Sequence, residues 1–307
     1  MEMARHYQSH HRVIRPRPKS PGQIRTSQNP KCRARQGMTG VTLISSIPDI
    51  MSRSASIQSG VPRIFDREQI RKNRIRCHNM SSDHSFMFEL VGEQIADRLL
   101  DIKKTFDTGI VTGASRIPKR RLQEIKKNSG VIDFYASDLV PGSVDMIVIE
   151  EEFPFGKDSL DFIGSFMTLH TANDLPGALI QINYALKPDG LFLGAMFGGE
   201  TLYELRQVMM QTETSLKGGV APRVMPFADK QQMGALLQRA GFALPVVDSD
   251  IIEVTYDNLE DLLYDLRGMG ESNVVSDRPS TCPGKSLFEQ AETCYRDCYV
   301  DDHGRLK

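Results

Sequence analysis

The residues of this chain that could do chemistry are a few acids, one histidine, a tyrosine, an arginine and two glycines, each set beside a short apolar run. In 106–114, FDTGIVTGA, Asp107 is followed by Gly109 and Gly113. Glycine accepts positive φ and lets backbone approach a ligand. Such a pair suits either a ligand loop or a plain strand-to-helix turn. Asp138 follows the apolar run 131–136. A carboxylate there can accept the hydrogens of two ribose hydroxyls, or it can cap the loop 138–143. Glu150 and Glu151 open the acidic run EEEFPF. His170 ends a fourth apolar run, where an imidazole can orient a substrate, take a proton near neutral pH or sit as a satisfied structural residue. Glu200, Tyr203 and Arg206 fall within about two helical turns, as a substrate-facing set or as an exposed face with its acid at the N-terminus.

The elements that must position these residues are legible from periodicity. Leu175, Ala178, Leu179, Ile182, Ala185 and Leu186 keep helical spacing behind an Asn173-Asp174 cap. Lys187-Pro188-Asp189-Gly190 then stops the helix and turns the chain into an apolar strand over 191–197. Upstream, Phe88, Val91, Ile95, Leu99 and Ile102 predict an amphipathic helix, followed by a strand at 105–111, a basic helix at 119–127 and strands at 131–136, 144–149 and 160–167. Alternating strands and helices predict a doubly wound, mostly parallel α/β sheet of Rossmann-like form, with helices on both faces. Ligands of such sheets bind outside the carboxyl ends of the strands. Beyond the fifth strand the sequence predicts helices at 200–211, 232–240, 259–266 and 286–299, and a strand at 246–254.

Among 307 residues, 40% are hydrophobic and 25% charged, and the formal net charge of -1 provides no general attraction for nucleic acid. No apolar run approaches the roughly 20 residues of a membrane-spanning helix, so no integral membrane segment is expected. Five cysteines, odd in number and scattered, predict free thiols in a reducing compartment. Cys282, Cys294 and Cys298 lack a CxxC pair or a histidine at finger spacing, so no metal site is expected. Residues 1–62 form a basic leader rich in Arg, Ser and Pro that is expected to be disordered, 63–273 the folded domain, and 274–307 a helical tail. The leader reads either as a transit peptide, which would place the protein in the mitochondrial matrix, or as sequence upstream of a start at Met38 or Met51 in a cytoplasmic protein. Ile64 to Arg67 with Arg71, Lys72, Arg74 and Arg76 reads as a solvated basic helix.

Several strings carry a resemblance: IFDR at 64–67, LKPDG at 186–190, GAMFGGETLYELR at 194–206 and GMGESN at 268–273. TLHTANDLP at 168–176 is similar to SLHWVNDLP, with Thr171 in place of Trp. Together they resemble class I S-adenosylmethionine (SAM) methyltransferases, in the branch that holds the mitochondrial complex I assembly factor, regarded as an arginine hydroxylase, and its alphaproteobacterial relatives. More distantly they are similar to malonyl-carrier-protein O-methyltransferases. The resemblance implies that Asp107, Gly109 and Gly113 frame the DxGxGxG cofactor loop, whose middle glycine is replaced by Ile110-Val111, a β-branched pair expected to crowd it. It implies that Asp138 holds the ribose, that Glu150 and Glu151 lie on the adenine side where Ile149 replaces an aspartate, and that His170, Glu200, Tyr203 and Arg206 contact the substrate. It further implies a missing C-terminal strand and SAM as cofactor. The activity implied is methyl transfer to an unknown acceptor. Its alternatives are an arginine-hydroxylase-like enzyme acting on a protein subunit of the respiratory chain and a non-catalytic relative.

Overall fold

In the computed structural model, which describes residues 12–14, 62–80, 84–142, 144–281 and 283–307, five short runs form one sheet packed on both faces, and its central strands are buried nearly continuously toward their carboxyl ends. Its strands are β1 (Phe106–Thr112), β2 (Val131–Asp138), β3 (Met146–Ile147), β4 (Leu160–Phe166) and β5 (Leu186–Ala195). Their order is β3-β2-β1-β4-β5 and every pairing is parallel. This is the doubly wound sheet expected from the sequence. Its switch point lies between β1 and β4, so the loops leaving β1, β2 and β4 converge there.

One face packs on α2 (Phe86–Leu100) and α3 (Lys119–Ser129), joining Phe88, Val91, Ile95, Leu99 and Ile125 to Val111, Phe162 and Phe166. The other packs on α4 (Leu175–Ala185) and α6 (Lys230–Arg239), where Ile110, Leu160 and Ile163 meet Ala178, Leu179, Ile182 and Leu237. Ile110 and Val111 are therefore core residues of opposite faces, 0% and 2% exposed. They do not crowd a loop, because β1 runs straight through them to Thr112. A third cluster joins α5 (Tyr203–Lys217), α7 (Leu259–Gly268) and α8 (Lys285–Cys298) through Leu205, Val208, Leu259, Leu287 and Tyr295. Cys77, Cys294 and Cys298 carry free thiols; Cys32 and Cys282 lie outside the described residues.

Helix starts follow local chemistry. Asp174 caps α4 by accepting from Gly177 N, with Pro176 in the first turn, while Asn173 instead bonds the backbone of Phe65. Asp229 and Gln232 form a reciprocal capping box at α6. At the predicted stop signal, 187–190 bulges within β5 and Asp189 takes φ 64°, so that Leu186 pairs with Leu160 while Leu191 pairs with Phe162. The helix expected from 200 begins only at Tyr203, because Leu202 adopts φ 55°. The strand expected at 246–254 is confined to Ile252–Val254, and it pairs with Arg12–Ile14, leaving β5 as an edge of the main sheet.

The first described helix, α1 (Arg67–Asn79), is capped by Asp66, whose side chain accepts from Gln69 N. It is basic as expected, but it is not solvated throughout. Ile70, Asn73 and Arg74 are buried, on the face that the spacing 70, 73, 74, 77 generates. The transit and start-site readings of the leader, together with most of the leader itself, lie outside the described residues.

Candidate functional site

At the carboxyl end of β1 the chain turns through Gly113, at φ 73°, into the short helical turn Ala114–Arg116. A Cβ on Gly113 would stand 2.1 Å from the carbonyl oxygen of Phe166, so the turn and the end of β4 fit only around a glycine. The turn aims Ser115 at Asp138, the last residue of β2. Ser115 donates to Oδ2 through its amide, at 3.3 Å, and through its hydroxyl. Leu139 N donates to Oδ1 at 2.6 Å, and Arg74 Nη1 from α1 donates to the same oxygen at 2.8 Å.

Asp138 is fully buried. Burial pushes its carboxyl up, but Arg74, Arg116 and the Ser115 hydroxyl more than offset this and hold it below the ordinary range. Glu150, beyond β3, stands 3.8 Å from Arg74 Nη1, and its Oε1 has no hydrogen-bond partner among the described residues. Glu151 is engaged by Arg67 and by the amide of Asn173.

A second set of contacts adjoins the first. Arg116 Nη1 donates to Glu271 Oε1 at 2.6 Å and, through Nη2, to the carbonyl of Met167. Glu271 Oε2 lies 3.0 Å from His170 Nε2, and His170 Nδ1 has no partner among the described residues. The imidazole is packed edge-on against Phe197, with ring centroids 5.0 Å apart. Burial pushes the Glu271 carboxyl up, but His170, Arg116 and Arg74 pull it down to about 2. The cluster thus buries two guanidinium groups against the carboxylates of Asp138, Glu150 and Glu271.

The residues singled out in the sequence separate into three groups. Gly113, Asp138, Glu150, Glu151 and His170 gather at the carboxyl ends of β1 to β4. Asp107 is exposed at the amino end of β1, and Gly109 is paired in mid-strand with Phe162 and Phe134. Glu200 and Tyr203 are exposed and line a groove of about 2190 Å³ beside β5, together with Met167, Phe197, Met225 and Glu271. Arg206 donates to the carbonyls of Thr201 and Met225, tying the start of α5 to the loop before α6. Sequence reading passed over Arg116 and Glu271 and placed Arg74 in solvent. The helical spacing of α1 was the available signal for Arg74. For Arg116 there was none, because its partners are distant in sequence, while Glu271 stood in the 268–273 string that carried the family resemblance but had no role attached.

The Methyltransferase domain family matches residues 103–245. The chain is 36% identical over 285 residues to arginine-hydroxylase NDUFAF5, mitochondrial, of Rattus norvegicus, covering 89% of this chain and 80% of that protein. The Homo sapiens protein of the same name is 36% identical over 256 residues, covering 79% of this chain and 73% of the relative. Malonyl-[acyl-carrier protein] O-methyltransferase of Xylella fastidiosa is 29% identical over 233 residues, covering 73% of this chain and 74% of that protein.

Proposed function

From the premise that the chain belongs to the family of the mitochondrial arginine-hydroxylase NDUFAF5 and carries a methyltransferase domain, we propose that it is an enzyme that uses SAM on a protein acceptor. The observation that carries this reading is the buried acid cluster at the carboxyl ends of the strands, with Asp138 at the end of β2 and Glu150 beyond β3. SAM supplies a methyl group activated on a sulfonium, so the protein's task is binding and alignment. On this reading Asp138 holds the ribose, Glu150 the adenine edge and the Gly113 turn the backbone approach. Asp107, exposed at the far end of its strand, is then not a contact.

The residue types suit this cofactor, since Asp138 has two acceptor oxygens and Glu150 has one oxygen without a hydrogen-bond partner. As the side chains stand, Arg74 and the donors of Ser115 and Leu139 take up the acceptor positions of Asp138, so a ribose must displace one of them.

The acceptor side is the groove beside β5. Exposed Glu200 and Tyr203 on its wall combine an acid with an aromatic face, which suits a cationic side chain. This pairing, with the relatives' name, supports a second reading in which an arginine of a respiratory-chain subunit is modified by hydroxylation, with dioxygen as the oxygen source and an external two-electron donor reducing its second atom to water. Among the described residues no helix is long and apolar enough to cross a membrane. The relatives' designation as mitochondrial supports a matrix location, with residues 1–50 acting as a transit segment. Imaging a fluorescent fusion with and without residues 1–50 tests it; identical distributions would remove that role.

Calorimetric titration of SAM into the full chain, beside Asp138→Asn, tests the cofactor site. Saturable binding that the variant weakens is expected; a folded chain with no saturable binding would defeat the reading. Incubation of the SAM-loaded chain with respiratory-chain subunits, followed by peptide mass analysis, then separates an added methyl from an added oxygen.

A further inference from the structure

We propose that Arg74 is a displaceable counter-ion that governs access to the cofactor site, so that SAM and the guanidinium of α1 compete for Asp138. The inference rests on the SAM-binding reading above and says which residue of this chain must yield for it to operate.

The donors on Asp138 set the argument. A carboxylate offers about four lone-pair positions. Here they are met by the amide and hydroxyl of Ser115, the amide of Leu139 and Nη1 of Arg74. Ser115 and Leu139 belong to the turns leaving β1 and β2, and their bonds come with the sheet. Arg74 arrives from a helix 64 residues earlier in the chain. It is the donor that can leave without unmaking a strand end.

Its helix is placed for such a movement. α1 buries Ile70 in a small cluster with Phe65, Leu139, Met225, Val274 and Val275, apart from the two cores that clasp the sheet. Besides Arg74, its ties are Asp66 N to the Val274 carbonyl at 2.7 Å, Arg278 to the Asp66 carboxylate at 2.7 Å, Arg67 to Glu151, Asn73 to the Ser272 carbonyl at 3.0 Å, and Cys77 packed at the edge of the α2–α3 core. Elements held by few buried contacts open at lower free energy than the core.

Charge decides what can replace Arg74. With it, the cluster sets two guanidinium groups against three carboxylates; without it, Arg116 is the one guanidinium left, with His170 on Glu271, to face Asp138, Glu150 and Glu271. Buried carboxylates left without a cation are costly. The replacing ligand must therefore bring positive charge as well as hydroxyls. SAM does so through its sulfonium, its α-ammonium being offset by its own α-carboxylate, whereas S-adenosylhomocysteine lacks the sulfonium charge and should compete less well.

The test uses the full chain with SAM as the probe. Hydrogen exchange of wild type, with and without saturating SAM, should show the amides of 67–79 exchanging faster when SAM is bound. Arg74→Met should bind SAM about tenfold more tightly than wild type, as expected if nine-tenths of the molecules otherwise hold Arg74 on Asp138, and Lys72→Met on the exposed face should match wild type. SAM binding by wild type with equal or weaker binding by Arg74→Met, or with slower exchange of 67–79, would overturn the competition while leaving the cofactor reading intact. If Arg74→Met does not fold, the exchange measurement on wild type decides alone. No SAM binding by either folded protein would remove the cofactor reading and the competition together.

Discussion

Replacing Glu271 by Gln should remove a measurable part of the pH dependence of stability. The Glu271 carboxyl lies at about 2 in the folded chain, where an ordinary glutamate carboxyl titrates at 4.5. At 1.36 kcal/mol per unit this corresponds to about 3 kcal/mol of stability at pH 7. Because the folded value is the lower one, the contribution is complete above the unfolded value. It is lost as pH falls from about 5.5 through the folded value, with about 1 kcal/mol left at pH 3 by the linkage relation. Urea unfolding at several pH values between 7 and 3 should therefore show wild type losing about 2 kcal/mol more than Glu271→Gln over that range. At pH 7 the variant should itself be less stable by about 3 kcal/mol, because Arg116, 4% exposed at its side chain, keeps its charge and loses its carboxylate. Asp138 shifts in the same direction and is present in both proteins, so it does not enter the difference. Parallel pH profiles for the two proteins would refute the assignment of Glu271 as a buried, ion-paired anion.

Other outcomes follow from the same geometry. Arg116→Met should cost about 3–5 kcal/mol in urea unfolding, since it leaves Glu271 with only His170 and frees the carbonyl of Met167. Gly113→Ala should lower stability by at least about 2 kcal/mol, because φ 73° and a 2.1 Å approach to Phe166 O both oppose a Cβ; a melting temperature within a degree or so of wild type would contradict this. Ile110→Gly should cost about 4 kcal/mol by emptying a fully buried site, with no gain in SAM affinity by calorimetry. Tighter binding would revive the idea that the pair crowds the cofactor.

What the sequence determined by itself is the frame. The short apolar runs, the helical spacing of 175–186 and the 187–190 stop signal defined a parallel doubly wound sheet, because local hydrophobic patterning and turn chemistry are properties of neighbouring residues. They also put Asp138, Glu150 and His170 at strand ends, which is where such a sheet binds ligands. Only the tertiary structure decided what those residues meet. Arg74 reads as one more arginine on a basic helix, yet its side chain is buried on Asp138. Ile110 and Val111 read as intruders in a glycine loop, yet they fill the two cores. Glu271 belongs to a loop 155 residues from Arg116, and their ion pair exists because α1, the turn after β1 and the 269–275 segment are folded onto one end of the sheet. Local patterns fix which way a strand runs and which face a helix buries. Pairing between charges distant in sequence depends on burial and on three-dimensional proximity, which no window of neighbouring residues contains.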